Sequence, residues 1–238
     1  MKSTRIAKLK VCGITRLSDA QAALDAGADW LGVIAVPNTP RYLDAANAKT
    51  LVEELRESHP QAYVVGVFQG ATPAKVEAYA KTVKLNAIQL HGQENPADYA
   101  YIGLPIIKVL HLYPHIKMAD LQTQAARYLE QPQVQTCLLD LPKGSGLKSI
   151  LEWPDFARLN ELTGDIPCMV AGGLTPENIE TVLEALSPWG VDVASGVESA
   201  PGEKDLQRLT DFCQAIKGTT SLENPDIPSI GEERPCNP

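Results

Sequence analysis

One pattern recurs eight times along this chain: a short apolar run, a polar or glycine-containing turn, and a stretch rich in Ala, Leu, Glu and Lys with apolar spacing of three and four. Short runs that are apolar almost throughout are typical of parallel strands whose outer face is covered by helices. Ser18 and Thr72 stand where they would cap the first and third of these helices. The predicted strands are "KLKVCG" (8–13), "DWLGVIA" (29–35), "YVVGVF" (63–68), "AIQLHG" (87–92), "IIKVLHL" (106–112), "TCLLDL" (136–141), "CMVAGG" (168–173) and "VDVASG" (191–196).

Two parallel-sheet folds compete for such a pattern, a closed (β/α)8 TIM barrel and an open doubly wound sheet. Eight units in about 218 residues suit the barrel, whose usual size is about 250 residues. No G-x-G-x-x-G follows the first run, as it would in a dinucleotide-binding doubly wound sheet. We therefore predict one α/β domain, a (β/α)8 TIM barrel over residues 1–218. Residues 219–238, "TTSLENPDIPSIGEERPCNP", are polar and Pro-rich, which predicts a disordered tail.

Composition excludes several classes of protein. The 21 Lys and Arg against 29 Asp and Glu leave a formal charge of -8 with no basic block, so nucleic acid is not expected as a partner. No apolar run is long enough for a membrane helix, and the N-terminus does not read as a signal peptide, so we expect a cytoplasmic protein. The 5 cysteines form no C-x-x-C pair, which favours reduced thiols over disulfides or a metal site.

Chemically distinctive residues stand where the predicted strands end. In a (β/α)8 barrel the active site is built at the carboxyl ends of the strands, so these residues are expected to surround one pocket. They are Cys12 at the end of the first predicted strand, Arg41 in the loop after the second, His91 at the end of the fourth, Asp140 at the end of the sixth, Gly172 and Gly173 at the end of the seventh, and Asp192, Ser195 and Gly196 at the end of the eighth.

Each of these residues also has a structural interpretation. A buried cysteine often serves as a small apolar side chain, and a single histidine often only bonds a neighbouring loop. Asp140 could cap the next helix, Arg41 could be a solvated loop charge, and the glycines could only form a turn. Their convergence on one rim favours function, because closure of the barrel brings all strand ends together.

Two segments predict a phosphate site. "AGGLTPENI" (171–179) places Gly172 and Gly173 just before a helix, and "ASGVES" (194–199) supplies a second small-residue loop with Ser195 and Gly196. Free backbone N–H groups at such turns bind phosphate, and in barrels this site lies after strands seven and eight. The expected ligand is a sugar phosphate or a similar phosphorylated metabolite.

Taken together, the motifs resemble those of the phosphoribosylanthranilate isomerase family of tryptophan biosynthesis. The resemblance runs in order from about Lys8 to Lys217 and is specific as a combination. It rests on "KVCGIT" (10–15), "GVF" (66–68), "QLHG" (89–92), "LLD" (138–140), "AGGLTPEN" (171–178) and "VDVASGVES" (191–199) with "GEKD" (202–205).

The resemblance implies an isomerase that carries out an Amadori rearrangement without a cofactor or metal. Its substrate would be N-(5-phosphoribosyl)anthranilate and its product 1-(2-carboxyphenylamino)-1-deoxyribulose 5-phosphate. The family's base and acid map onto Cys12 and Asp140, so the thiol must form thiolate and the carboxyl must hold a proton near neutral pH. The resemblance also assigns Arg41 to the anthranilate carboxylate and His91 and Asp192 to the pocket.

The sequence departs from the family pattern in the loops around this site. Ala35 and Gln69 replace residues that the family usually has after strands two and three, and Ala194 stands where a serine is common. The loop after Asp140 reads "DLPKGSGLKSILEW" in place of the usual glycine element. A divergent paralogue therefore stays open as an alternative, either another phosphosugar isomerase or epimerase or a non-catalytic phosphosugar-binding barrel. Monomer and homodimer are both compatible with the sequence.

Overall fold

The computed structural model describes residues 4–5, 7–163, 166–218 and 222–223. Eight parallel strands close into a barrel in chain order, and the last strand pairs with the first, which confirms the predicted (β/α)8 TIM barrel. The strands are β1 (Lys8–Cys12), β2 (Trp30–Ile34), β3 (Tyr63–Phe68), β4 (Ala87–Leu90), β5 (Ile106–His111), β6 (Val134–Asp140), β7 (Cys168–Val170) and β8 (Gly190–Val193).

Helices lie between the strands and outside the barrel, but two connections depart from the regular pattern. After β4 the chain forms a 3-10 helix, Pro96–Ile102, and after β6 it forms two short 3-10 turns before a four-residue helix. The expectation of a helix in each unit was therefore wrong after β4, where the described residues form only a 3-10 helix, and was met after β6 by an α-helix of only four residues. The α-helices are α1 (Leu17–Ala26), α2 (Ala45–Ser58), α3 (Pro73–Val83), α4 (Met118–Leu129), α5 (Asn160–Thr163), α6 (Ile179–Leu186) and α7 (Leu206–Gly218).

The two predicted helix caps fare differently. Thr72 is the N-cap of α3 and Pro73 is its first residue, as expected from the fixed φ of proline. Ser18 was wrong as a cap because α1 begins at Leu17, one residue earlier. Arg16 takes the N-cap position, and its guanidinium bonds the Asp19 carboxylate in the first turn at 3.1 Å.

Side chains alternate along each strand between the barrel interior and the layer under the helices. On β1, Leu9 and Val11 pack in the outer core, whereas Lys10 and Cys12 share the opposite, inward face. One buried apolar cluster fills the interior below the strand ends, so the carboxyl-end positions above it are left for polar side chains. The cluster comprises Trp30, Val65, Ala87, Ile107, Val109, Leu138, Met169, Ala171 and Trp189.

Two short antiparallel pairs lie outside the barrel. Glu198–Ala200 pairs with Glu203–Lys204 directly after β8, and this hairpin borders the strand ends. Thr4–Arg5 pairs with Leu222–Glu223. Apart from those last two residues, the segment 219–238 and its predicted disorder lie outside the described residues. None of the described helices is both long and apolar enough to cross a membrane.

We expect Phe212→Ala to lower the free energy of unfolding by about 3–5 kcal/mol, because the side chain is fully buried where α7 meets the barrel. Leu206→Ala in the same helix is the matched control, since Leu206 is 57% exposed and its loss should change stability by less than about 0.5 kcal/mol. Urea unfolding followed by circular dichroism measures both. Equal losses in the two variants would contradict the packing described for α7.

Candidate active site

A pocket of about 260 Å³ opens at the carboxyl ends of the strands. Strand ends and the loops after β2, β6, β7 and β8 form its walls. All nine residues that the sequence predicts for the site line it: Cys12, Arg41, His91, Asp140, Gly172, Gly173, Asp192, Ser195 and Gly196. Their common location agrees with the expected position of a barrel active site, whereas their individual roles stay predictions.

Cys12 lies at the end of β1 beside a buried lysine. The Lys10 side chain is fully buried, and its Nζ donates to Asp192 Oδ2 at 2.8 Å. Gly32 on β2 is paired with Cys12 and leaves room for both groups: a Cβ there would lie 2.7 Å from Cys12 Sγ and 3.0 Å from Lys10 Nζ. The thiol therefore lies within reach of an ammonium group in the barrel interior.

Burial and neighbouring charges act in opposite directions on the Cys12 thiol. Burial raises the pKa of Cys12 above its ordinary value, and Asp192 adds to that shift. Lys10 and, more weakly, Lys204 act to lower this pKa because a cation stabilises the thiolate. The net effect of burial and these charges is a raised pKa, so the thiol predominates near neutral pH and the thiolate that the mechanism would need is a minority species.

Asp140 meets the requirement for a proton-holding carboxyl. Burial raises the pKa of Asp140 to about 7, and the charge of Asp192 raises it further than the N–H of Leu141 lowers it. His91 Nε2 lies 3.8 Å from Asp140 Oδ2. Burial lowers the pKa of His91 to about 4, so this imidazole is neutral at neutral pH. The pair thus presents a protonated or half-protonated carboxyl beside a neutral ring.

Two buried acceptor atoms in the pocket have no hydrogen-bond partner among the described residues. Gln89 Oε1 and Asp192 Oδ1 are both buried, and both side chains line the pocket. A buried polar atom without a partner costs about 1–3 kcal/mol, so each favours a donor supplied by water or a ligand. Hydroxyl groups of a sugar are donors of that kind.

Arg41 is held by a carboxylate from the hairpin after β8. Its Nε donates to Glu198 Oε1 at 2.8 Å, and its Nη2 donates to Oε2 of the same side chain. Lys204 Nζ also contacts Glu198 Oε1 at 3.0 Å and donates to the carbonyls of Cys12 and Ala194. Glu198 thus occupies one edge of the guanidinium group and leaves the edge formed by both Nη atoms for a ligand.

The glycines of the predicted phosphate loops are required by close approach of the backbone. A Cβ on Gly173 would lie 2.0 Å from Lys148 O, and one on Gly196 would lie 1.7 Å from Leu174 O. Gly173 also has a φ of 65°, in the left-handed region. Glycine is therefore needed at these positions because the loops pack closely against each other.

The helix after this turn begins later than the sequence suggested. The α6 helix begins at Ile179, and a turn precedes it. Asn178 holds that turn, because its Oδ1 accepts from Thr175 N at 2.9 Å and its Nδ2 donates to Gly173 O at 2.9 Å. These two hydrogen bonds hold the loop in its observed conformation.

Sequence reasoning missed four residues of the site: Lys10, Gln89, Glu198 and Lys204. The signal for the first two was present, since each stands two positions before Cys12 or His91 and so shares the inward face of the strand. Glu198 and Lys204 stand inside the quoted "SGVES" and "GEKD" motifs. Within the described ranges, no three His, Cys, Asp or Glu side chains cluster as metal ligands would.

The closed barrel, with a thiol, a carboxyl and glycine turns around one pocket at the strand ends, defines a (β/α)8-barrel enzyme. The family model of N-(5'phosphoribosyl)anthranilate (PRA) isomerase matches residues 9–215. An N-(5'-phosphoribosyl)anthranilate isomerase of Myxococcus xanthus (strain DK1622) is 40% identical over 218 residues, which cover 91% of this chain and 99% of the relative.

Solved structures agree with this match. Monomers generated from the dimeric phosphoribosylanthranilate isomerase of Thermotoga maritima share 31% identity at a TM-score of 0.74, with coverage of 89% of this chain and 99% of that one. An isomerase bound to reduced 1-(o-carboxyphenylamino)-1-deoxyribulose 5-phosphate shares 32% identity at a TM-score of 0.71, with coverage of 89% and 99%. The chain belongs to the N-(5'-phosphoribosyl)anthranilate isomerase family, as the motifs implied, and is an isomerase of tryptophan biosynthesis.

The raised pKa of Asp140 predicts a pH-dependent stability difference between wild type and Asp140→Asn. The folded protein binds this proton more tightly than the unfolded chain, whose ordinary value is 3.8. Wild type should therefore lose stability relative to the variant as pH rises from about 4 to about 7, by about 4 kcal/mol at most, and no further above that. Urea unfolding of both proteins at a series of pH values measures the difference. A difference that is constant with pH would contradict the raised pKa.

Proposed function

We propose that Asp140 is the general acid and Cys12 the general base of the isomerisation of N-(5'-phosphoribosyl)anthranilate. The observation that carries this proposal is that β1 and β6 present the thiol and the carboxyl to one pocket bordered by the glycine turns after β7 and β8. The raised pKa of Asp140, about 7, supports its role as a proton donor. Both a different phosphosugar isomerase and a non-catalytic binder have less support, because the family match spans the whole barrel.

The enzyme's own part in the reaction is proton transfer. Asp140 donates its proton to the furanose ring oxygen, the C1–O bond breaks, and the nitrogen lone pair forms the C1=N bond of a protonated Schiff base. The Cys12 thiolate then takes the C2 proton, the C–H electron pair forms the C1=C2 bond of an enolamine, and the π pair of the C1=N bond returns to nitrogen. Tautomerisation gives the ketone, with one proton lost from the C2 hydroxyl and one gained at C1. Asp140 recovers a proton from solvent and Cys12 releases one, so the site returns to its starting state.

The remaining pocket residues suit the other parts of this substrate. The free edge of the Arg41 guanidinium suits the anthranilate carboxylate through two parallel hydrogen bonds, with Glu198 fixing its orientation. We assign Asp192, which lines the same pocket, to the ribose part of the substrate. We assign the phosphate to the turns that contain Gly172, Gly173, Ser195 and Gly196, which lie where barrels commonly bind phosphate.

We further propose that the enzyme works in the cytoplasm, because a mechanism that uses the Cys12 thiolate needs a reducing compartment. Both a monomer and a homodimer are compatible with this proposal. The Thermotoga maritima relative is described as dimeric and also as generated monomers.

The direct test is turnover of phosphoribosylanthranilate generated in situ, followed by loss of anthranilate-type fluorescence. Wild type should convert it, whereas Cys12→Ala and Asp140→Asn should each lower kcat by about 10²-fold or more, the usual contribution of a positioned acid or base. Asp155→Asn is a control outside the pocket lining and should keep wild-type turnover. No turnover by folded wild type would contradict the function, and full turnover by either variant would contradict its role.

The two pKa directions predict an unusual pH profile. The active form needs Asp140 protonated, with a pKa of about 7, and Cys12 ionised, with a pKa above its ordinary value of 9.0. Because the acid has the lower pKa, kcat/KM should rise tenfold per pH unit up to about pH 7 and then stay level, since loss of the acid offsets gain of the thiolate. Steady-state kinetics between pH 5.5 and 9 measure this profile. A steep fall directly above pH 7 would show that Cys12 is already a thiolate there.

A further inference from the structure

The Lys10 side chain is the most deeply buried cation of the site, and its burial needs an explanation. It is 0% exposed, and burial of an unpaired ammonium is strongly unfavourable. Asp192 Oδ2 accepts one of its three N–H groups at 2.8 Å. A second interaction reaches Cys12, which together with Asp192 keeps the pKa of Lys10 above its ordinary value despite the opposing effect of burial. The lysine therefore stays charged inside the barrel.

The strand register places these groups together. Lys10 pairs with Asp192 across the β1–β8 seam, and Cys12 pairs with Gly32 on the other side of β1. Gly32 has no Cβ, and the space it leaves is bounded by both Cys12 Sγ and Lys10 Nζ. Backbone geometry thus directs the ammonium toward the sulfur without any loop movement.

We propose that the Lys10 ammonium is the counter-ion of the Cys12 thiolate and that Asp192 sets how strongly it acts. This inference rests on the proposed role of Cys12 as the base. On ionisation the thiol proton leaves to solvent through the open pocket, while Lys10 keeps its three protons and its positive charge. Asp192 holds the ammonium in place but competes for it.

Other charged groups around Cys12 are accounted for. Lys204, from the hairpin after β8, favours the thiolate but is already bound to Glu198 and two carbonyl oxygens. Arg41, from the loop after β2, interacts with the Cys12 charge while Glu198 holds it. Asp140 and His91 face the same pocket from β6 and the end of β4. Lys10 has the strongest favourable effect on the thiolate among these groups.

The test is the pH dependence of iodoacetamide alkylation, measured by mass spectrometry on the peptide that carries Cys12. The pH midpoint of the rate reports thiolate formation, and the limiting rate at high pH reports access to the sulfur. Lys10→Met should raise the midpoint by at least about one pH unit, which lowers the rate tenfold below the midpoint. Asp192→Asn should lower the midpoint by about the same amount, because it removes the competing anion.

Lys108→Met is the matched control, since Lys108 is another buried strand lysine, but its Nζ bonds the carbonyls of Leu90 and Gly92. This control should leave the midpoint unchanged. A purely structural role for Lys10 would alter the limiting rate or the folding but not the midpoint, so an unchanged midpoint in Lys10→Met would overturn the proposal. If Lys10→Met does not fold, the alkylation midpoint of Asp192→Asn is the test. A midpoint in that variant equal to or higher than that of wild type would overturn the proposal. Alkylation needs no turnover, so a failure of this proposal is distinct from a failure of the isomerase assignment.

Discussion

The pairing of β1 with β8 closes the barrel, and the active site depends on the register of that seam. The pairing of Lys10 with Asp192 brings a cation and an anion together in an interior that neither could enter alone. Cys12 is the next inward-facing residue of the same strand. It lies nearer the pocket, above the apolar cluster that fills the barrel interior. A slip of one residue would turn both inward positions of β1, Lys10 and Cys12, toward the helices. The register of the backbone therefore fixes the electrostatics of the site before any ligand arrives.

Burial has opposite consequences for the two groups that the proposed mechanism uses. It raises the pKa of the Asp140 carboxyl to about 7, which is suitable for a proton donor, and it also raises the pKa of the Cys12 thiol, which is unfavourable for a base. A pocket dry enough for the acid therefore needs a dedicated cation for the thiol. The lysine on the same strand can supply that cation without opening the pocket to water. Arg41 serves less well, because Glu198 holds its side chain.

The sequence allowed the barrel and the ring of strand-end residues to be predicted, because both follow from local patterns. Short, almost continuously apolar runs located the strands, and closure of the barrel brought Cys12, Asp140 and the glycine turns to one pocket. The prediction of an α-helix after β4 was wrong, since residues Pro96–Ile102 form a 3-10 helix there. The contacts of Glu198 and Lys204 could not be predicted. Glu198 bonds Arg41 and Lys204 bonds the carbonyl of Cys12, and each pair lies more than 150 residues apart in sequence. Both contacts depend on how the hairpin after β8 folds. Charge balance of this kind is a tertiary property.

The central claim is that Asp140 opens the ring and Cys12 removes the C2 proton. The most direct measurement is the kinetic isotope effect on single-turnover rates with substrate deuterated at the sugar C2, compared between wild type, Cys12→Ser and Asp140→Asn. A weaker base should make C2 deprotonation limiting, so Cys12→Ser should show a larger isotope effect than wild type. Loss of the acid should make ring opening limiting, so Asp140→Asn should show an effect near unity. A larger isotope effect in Asp140→Asn, together with an effect near unity in Cys12→Ser, would contradict this mechanism.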